Sequence, residues 1–360
     1  MELLAQDLLD LTKAMAVLPA SSGREEQRVR FCLEFWQKKS LPAFVDGVGN
    51  VILELGDVKN HPIVLFMGHT DIVFDEDTPL VLREEGEKLI CPGIGDDTLH
   101  AAAVLLGGAW MAEQDLPEGV SFVFCTNVCE EGEGNLKGCR ALMERYGARL
   151  REVISFDSYL GILHDSCVGS VRYRVTAQTA GGHSFRDFGA PNAIAKLCAL
   201  VAELDKQPLP GEGITTYNFG QISGGTTVNT IAAEATMLYE FRSDRKANFA
   251  RMEEQFHAAM ARVTDCTLSA ETIGIRPCGD VDPARQEALA QRCENAFAGL
   301  PIPKRYPAST DCNLPLSMGI PAVCIGLCHG GGAHTTEEYI LPDSIQDGIS
   351  VLKNLLESYL

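Results

Sequence analysis

The chain has 360 residues, of which 46% are hydrophobic and 22% charged, a composition typical of a globular protein and unlike that of a disordered one. Its 30 lysines and arginines and 49 aspartates and glutamates give a formal net charge of −19. This charge repels phosphate backbones, so no nucleic-acid partner is expected. The length suggests two domains rather than one.

Compartment and membrane association follow from the apolar runs and the cysteines. No apolar run is long enough to cross a bilayer, and residues 1–15 show an amphipathic helix pattern rather than that of a secretory signal. The 13 cysteines are scattered and odd in number, so a reduced, cytoplasmic setting is expected. The two C-x-x-x-C pairs adjoin apolar runs, which favours core thiols over a zinc knuckle.

The first part of the chain alternates helical and strand-like segments. Helices are predicted at 2–15, 24–39 and 97–114, and strands at 48–55, 62–68, 120–128 and 150–157. Asp96 or Asp97 is expected near the N-cap of the third helix. This alternation predicts an α/β fold with a largely parallel sheet covered by helices on both faces.

From about residue 169 the order changes to β-α-β-β-α-β, the order of a split ferredoxin-like unit. Its strands are predicted at 171–179, 215–223, 235–243 and 267–274, and its helices at 191–206, opening with Pro191, and 245–263. The C-terminal segment again alternates helices and strands, with a helix at 283–297, a strand at 320–327 and a final helix. We therefore expect a discontinuous catalytic domain, residues 1–168 and 280–360, interrupted by a lid domain at 169–279.

Polar side chains follow separate strands or open a helix in the first and last segments. They are His69 and Asp71, Asp96 and Asp97, Glu130 and Glu131, Asp157, and His334. Each motif alone is more typical of a turn or a helix cap than of a site. However, ligands of open α/β sheets bind at the carboxyl ends of strands, so this joint placement predicts one shared crevice.

Two imidazoles with three or more carboxylates form a mixed nitrogen and oxygen ligand set, which suits zinc and also cobalt or manganese. The number of candidates is about what two metals sharing a bridging carboxylate require. Such a pair can activate water and polarise a carbonyl group together.

The motifs occur in a specific order: H-x-D at 69–71, G-x-G-D-D at 93–97, E-E-G at 130–132, Asp157, G-G-H-S at 181–184 and A-H-x-x-E-E at 333–338. This order resembles that of the co-catalytic zinc exopeptidases. That family includes peptidase T, glutamate carboxypeptidase, acetylornithine deacetylase, succinyl-diaminopimelate desuccinylase and aminoacylase. The resemblance covers nearly the whole chain, including the inserted ferredoxin-like lid.

The resemblance implies two zinc ions per subunit, which cobalt or manganese could replace. The implied ligands are His69 and Asp157 on one zinc, Glu131 and His334 on the other, and Asp96 bridging both. Asp71 would orient His69, and Glu130 would act as the general base.

The lid residues have roles in the same family. By resemblance, His183 would stabilise the oxyanion, often in the active site of a partner subunit. Asn229 and Arg242 would hold the substrate backbone or carboxylate, and a homodimer through the lid is implied. Taken alone, His183 is more typical of a surface loop than of a site. Arg242 taken alone is as typical of an exposed sheet face as of a substrate contact.

Two positions bear on the substrate and on the site. Among these enzymes Asp at position 157 is typical of aminopeptidases and dipeptidases and Glu of deacylases and carboxypeptidases, so Asp157 favours small peptides over N-acyl amino acids. Deacylase or carboxypeptidase activity stays open, as does a non-catalytic binder, although Glu130 argues against a binder. Thr98-Leu99-His100 replaces the family's Lys-Gly or Lys-Ala-Gly, and His100 could face the site or the solvent.

Overall fold

The computed structural model describes residues 2–279 and 281–360, and all of their side chains except that of residue 133. The chain forms two compact units, Met1–Cys167 with Gly279–Leu360, and Val168–Cys278. The predicted domain limits lie within one residue of these bounds, and residue 280, where the second catalytic segment was expected to begin, lies outside the described residues. That the second unit acts as a lid stays a prediction.

Helices and strands are numbered along the chain. The helices are α1 (Ala5–Ala16), α2 (Glu26–Lys38), α3 (Leu99–Met111), α4 (Lys137–Tyr146), α5 (Ala193–Asp205), α6 (Lys246–Arg262), α7 (Pro283–Ala296), α8 (Asn313–Ser317) and α9 (Ile345–Glu357). The strands are β1 (Phe44–Val45), β2 (Val51–Leu55), β3 (Ile63–His69), β4 (Arg83–Glu85), β5 (Lys88–Ile90), β6 (Ser121–Asn127), β7 (Leu150–Phe156), β8 (Ile162–His164), β9 (Gly169–Gln178), β10 (Gly182–His183), β11 (Thr215–Gly224), β12 (Thr230–Ile231), β13 (Glu234–Ser243), β14 (Thr267–Arg276), β15 (Lys304–Arg305), β16 (Ala322–Ile325), β17 (Gly330–Gly331) and β18 (Tyr339–Ile340).

The first unit is built on an eight-stranded sheet with the order β1-β2-β6-β3-β7-β16-β8-β15. Its central strands β6, β3, β7 and β16 run parallel, whereas β2 and β8 pair antiparallel with their neighbours β6 and β16. Every residue of β3 and β6 is buried, which explains their continuous apolar sequences. The predicted α/β fold with a mostly parallel sheet is confirmed.

Helix α3 lies entirely in the core of the first unit, since all of its residues are buried. It begins at Leu99, two residues later than expected, and no side chain caps its N-terminus. The carboxylates of Asp96 and Asp97 are therefore directed to other partners. No helix in the described part of the chain is both long and apolar enough to cross a membrane.

The second unit has an antiparallel sheet in the order β11-β13-β9-β14, as the ferredoxin-like connectivity predicts. Alternate residues of β9 are buried in a core that includes residues of α5 and α6. Helix α5 begins after the predicted Pro191 start, because Asn192 caps it by accepting hydrogen bonds from Ile194 N and Ala195 N. The short strands β10 and β12 pair His183 with Thr230.

Candidate metal centre

The predicted ligands of the first unit meet where its central strands end. His69 ends β3, Glu130 and Glu131 lie just beyond β6, and Asp157 follows β7. The carboxyl ends of parallel strands share one edge of a sheet, so the fold brings these groups together. Asp96 lies between β5 and α3, and His334 lies between β17 and β18.

Asp96 stands between the two histidines. Its Oδ1 lies 3.2 Å from His69 Nε2, and its Oδ2 lies 3.1 Å from His334 Nε2. Glu131 Oε1 is 3.2 Å from the same His334 nitrogen. The two oxygens of Asp96 thus face different histidines, which is the arrangement that a bridging carboxylate needs.

The candidate ligands fall into three overlapping groups, in each of which the ligand atoms lie within 4.8 Å of one another. The groups are His69, Asp97 and Asp157; His69, Glu130 and Glu131; and Asp96, Glu131 and His334. All five predicted ligands and the predicted base Glu130 are included. Asp97 was expected only as a possible helix cap. Its Oδ2 accepts a hydrogen bond from His69 N at 2.8 Å, and its Oδ1 lies 2.6 Å from His100 Nδ1.

The cluster has the charge and the donors that suit divalent cations. Burial and the negative charge of Asp96 raise the pKa of Asp157 to about 7. Hydrogen bonds with Asp96 and Glu131 raise the pKa of His334 to about 10. His69 Nε2 is buried, and its 3.2 Å contact with Asp96 Oδ1 does not have hydrogen-bond geometry. Crowded carboxylates and an unsatisfied imidazole nitrogen are the groups that a bound cation would satisfy.

Asp71 was expected to orient only the imidazole of His69, but it contacts several groups of the centre. Its Oδ1 lies 3.4 Å from His69 Nδ1 and accepts a hydrogen bond from Glu130 N at 2.9 Å, while Oδ2 accepts from Glu131 N at 2.9 Å. Ser22 Oγ donates to Oδ2 at 2.6 Å. Burial alone would raise the pKa of Asp71, but the contacts with His69 outweigh it and hold that pKa below its ordinary value.

Glu338 supports the loop that carries Asp96, a role that the sequence analysis missed. Its Oε1 accepts hydrogen bonds from Gly95 N and Asp96 N, both at 2.7 Å, and its Oε2 accepts from Gly93 N at 2.9 Å. Burial and the charge of Asp96 raise the pKa of this carboxyl to about 7. The second Glu of A-H-x-x-E-E was the only signal in the sequence.

A second missed support comes from Glu25, just before α2. Its buried carboxylate Oε1 accepts hydrogen bonds from Gly23 N and Cys129 N, both at 3.0 Å. Cys129 has a positive φ of 56°, so this contact fixes an unfavourable backbone conformation directly before Glu130. The polar run at 21–25, which leads into the second predicted helix, was its signal.

The three predicted lid residues all belong to the second unit. His183 is exposed, and its Nδ1 accepts from Phe185 N at 3.2 Å and Arg186 N at 3.4 Å. Asn229 is close to it, since the Asn229 carbonyl accepts from Ser184 N at 3.0 Å. Arg242, on β13, instead forms a two-pronged contact with Glu240 at 3.0 and 3.2 Å.

Comparison with known proteins places this centre in a family. A family model described as Peptidase family M20/M25/M40 matches residues 65–358. The chain belongs to this family. Its members are metallo-hydrolases that act on amide or peptide bonds, so the predicted family and enzyme class are confirmed.

Similarity to curated M20 relatives extends along almost the whole chain. Succinyl-diaminopimelate desuccinylase of Corynebacterium glutamicum is 23% identical over 360 residues, covering 97% of this chain and 96% of the relative. N-acetyl-L-citrulline deacetylase of Xanthomonas campestris is 24% identical over 339 residues, covering 89% of each chain.

Solved structures of M20 enzymes share the fold. Aminopeptidase PepT from Bacillus cereus superposes with a TM-score of 0.75 at 19% identity, covering 99% of both chains. A tripeptidase from Staphylococcus aureus gives a TM-score of 0.78 at 19% identity, covering 99% of this chain and 98% of that one. At these identities the likeness concerns the fold alone.

Proposed function

We propose that this M20 enzyme hydrolyses the peptide bond of a small peptide, as an aminopeptidase, dipeptidase or tripeptidase, using two zinc ions per subunit. Cobalt or manganese could take the place of zinc. The observation that carries the proposal is the position of Asp96, whose two oxygens face His69 and His334 separately. Two half-sites joined by one carboxylate fit a pair of cations rather than a single one.

We assign the ligands from the family resemblance, which these distances support. His69 and Asp157 would hold one cation, Glu131 and His334 the other, and Asp96 both. Two cations bound there would supply the Lewis acidity that activates water and polarises a scissile carbonyl. Asp97 is not assigned as a ligand, because its two oxygens already face the His69 amide and His100.

Glu130 is the proposed general base. It is buried beside Glu131, and Asp71 fixes the backbone amides of both residues. Its carboxylate takes a proton from water as the water oxygen bonds to the carbonyl carbon. It then gives that proton to the nitrogen as the C–N bond breaks.

Replacing Glu130 with Gln tests this role. The variant keeps the size of the side chain but cannot take up the proton, so kcat should fall by at least 100-fold while the zinc content stays near two per subunit. Glu118→Gln is the control, because Glu118 is exposed and precedes β6, at the end of that strand opposite to the centre. A Glu130→Gln enzyme as active as the wild type would refute the assignment.

The lid residues are assigned to the substrate. Because Nδ1 of His183 accepts two backbone N–H groups, a neutral imidazole carries its proton on the exposed Nε2, the form that can donate to an oxyanion. Asn229 lies beside it and would bind the substrate backbone. Arg242 would bind a substrate carboxylate in exchange for Glu240.

A deacylase is the second candidate. The curated relatives named above are a desuccinylase and a deacetylase that match over most of the chain, whereas Asp157 favours peptides by family resemblance. A screen of dipeptides, tripeptides and N-acyl amino acids with zinc, cobalt and manganese separates the two. Turnover of N-acyl amino acids without peptide cleavage would replace the peptidase assignment.

We also propose a cytoplasmic homodimer that pairs through the second unit. Strands β11 and β14 form the edges of its sheet, and an open edge can accept a strand from a second copy. If His183 acts in the partner's active site, mixing His183→Ala and Glu130→Gln subunits should restore activity. A monomeric mass in solution with full activity would refute the dimer.

A further inference from the structure

His100 is an unusual residue in its helix. Helix α3 is otherwise built from alanine, glycine and large apolar residues, and His100 is fully buried on its first turn. The solvent-facing alternative is therefore wrong. A buried imidazole is costly unless its nitrogen atoms have hydrogen-bond partners, so its contacts indicate why it is there.

Both ring nitrogens of His100 face specific partners. Nε2 accepts a hydrogen bond from Leu327 N at 3.0 Å, so the neutral ring carries its proton on Nδ1. Nδ1 lies 2.6 Å from Asp97 Oδ1. Both residues are fully buried, and this 2.6 Å contact pairs the ring nitrogen with a carboxylate oxygen away from water. The backbone of Gly95 is a second hydrogen-bond partner of the ring.

Asp97 connects His100 to the metal centre. Its Oδ2 accepts the hydrogen bond from His69 N at 2.8 Å. Gly68 permits this approach, since a Cβ at position 68 would lie 3.2 Å from the same oxygen. The contacts therefore run from the backbone beyond β16, through His100 and Asp97, to the end of β3.

We propose that His100 is a positioning residue, which holds the Asp97 carboxylate against the His69 amide and so fixes His69 and the adjacent Asp96 for cation binding. It stands where related enzymes commonly have Lys-Gly or Lys-Ala-Gly segments, so this chain supports its Asp-Asp pair differently. The inference rests on the proposed function, because it assigns His69 and Asp96 as ligands. His100 itself contacts neither cation nor substrate.

Three substitutions separate the two contacts of the ring. His100→Asn keeps an N–H near the position of Nδ1, facing Asp97, but loses the acceptor for Leu327 N. His100→Gln keeps an acceptor near the position of Nε2 but loses the N–H facing Asp97. His100→Leu removes both. Val104→Ala, a buried change on the same helix, is the control for a general loss of packing.

Cobalt and zinc affinities of the metal-free proteins, measured by calorimetry, and the absorption spectra of the cobalt forms report on ligand position without substrate. We expect His100→Leu and His100→Gln to bind roughly 10- to 100-fold more weakly and to show altered cobalt spectra, as is typical when a ligand's support is removed. His100→Asn should recover most of the affinity. Val104→Ala should melt at a lower temperature with unchanged affinity.

Two outcomes would overturn the inference. One is wild-type affinity and spectra in His100→Gln, and the other is a loss in His100→Asn that equals the loss in His100→Gln. Should His100→Leu not fold, the comparison of Asn with Gln still decides. Wild-type protein that binds no divalent cation would refute the proposed function instead, so the two failures are distinguishable.

Discussion

Replacing Glu338 with Gln should loosen the loop that carries Asp96. The carboxylate accepts three backbone N–H groups, two on Oε1 and one on Oε2. Glutamine can keep the two bonds on its carbonyl oxygen, but its amide nitrogen then meets the third donor, Gly93 N. The loss is one hydrogen bond to a charged acceptor, worth about 1.5–3 kcal/mol.

Thermal unfolding of the cation-loaded protein measures this loss. Burial and the charge of Asp96 both raise the pKa of Glu338, and a cation on Asp96 removes the second of these causes, which favours the ionised carboxylate in that state. At roughly 2–4 °C per kcal/mol for a unit of this size, the melting temperature should fall by about 3–12 °C. Calorimetric titration should show weaker cation binding as well, because Asp96 N is one of the three donors.

The neighbouring residue provides the control. Glu337 carries the same charge, is exposed and pairs with the half-buried Arg83 at 2.7 Å. Ion pairs in contact with solvent contribute little to stability. Glu337→Gln should therefore match the wild type in both measurements. Equal melting temperatures and affinities for the Glu337 and Glu338 variants would refute the role given to Glu338.

Three further results are expected. Ser22→Ala removes the hydrogen bond to Asp71 Oδ2 and should lower the free energy of unfolding, measured in urea, by about 1.5–3 kcal/mol. Ser350→Ala, on the surface of α9, is the control and should not lower it. Equal urea midpoints for the two variants would count against the contact. Zinc binding at pH 8 should release protons, because His334, with a pKa of about 10, is protonated before zinc binds and neutral afterwards; a binding enthalpy independent of the buffer's ionisation heat would exclude this. Arg242→Lys should raise KM more than it lowers kcat, since lysine lacks the guanidinium fork, whereas Arg174→Lys should change neither.

The sequence predicts the parts of the centre that depend on strand ends. His69, Glu130 and Asp157 each follow an apolar run, and a parallel sheet brings such positions to one edge. The inserted unit follows in the same way from its strand and helix order. The roles of Asp96 and His334 came from family resemblance rather than from periodicity.

The supporting contacts could not be predicted, because they join a side chain to distant backbone amides. Glu338 binds amides at positions 93–96, and His100 binds the amide of Leu327, and amides carry no signature in the sequence. The hairpin of β4 and β5 is short and polar, with only weak strand periodicity. Asparagine is a common N-cap residue, yet the predicted start of α5 was placed at Pro191, one residue before Asn192.

The late position of β16 in the chain affects the order in which the two units can fold during synthesis. It pairs with β7 and β8 inside the sheet of the first unit, yet the ribosome makes it only after the whole second unit, which has a hydrophobic core of its own. The second unit can therefore fold while the first still lacks an inner strand. His334 emerges later still, so a nascent chain cannot complete the centre, and metal loading belongs to the finished protein.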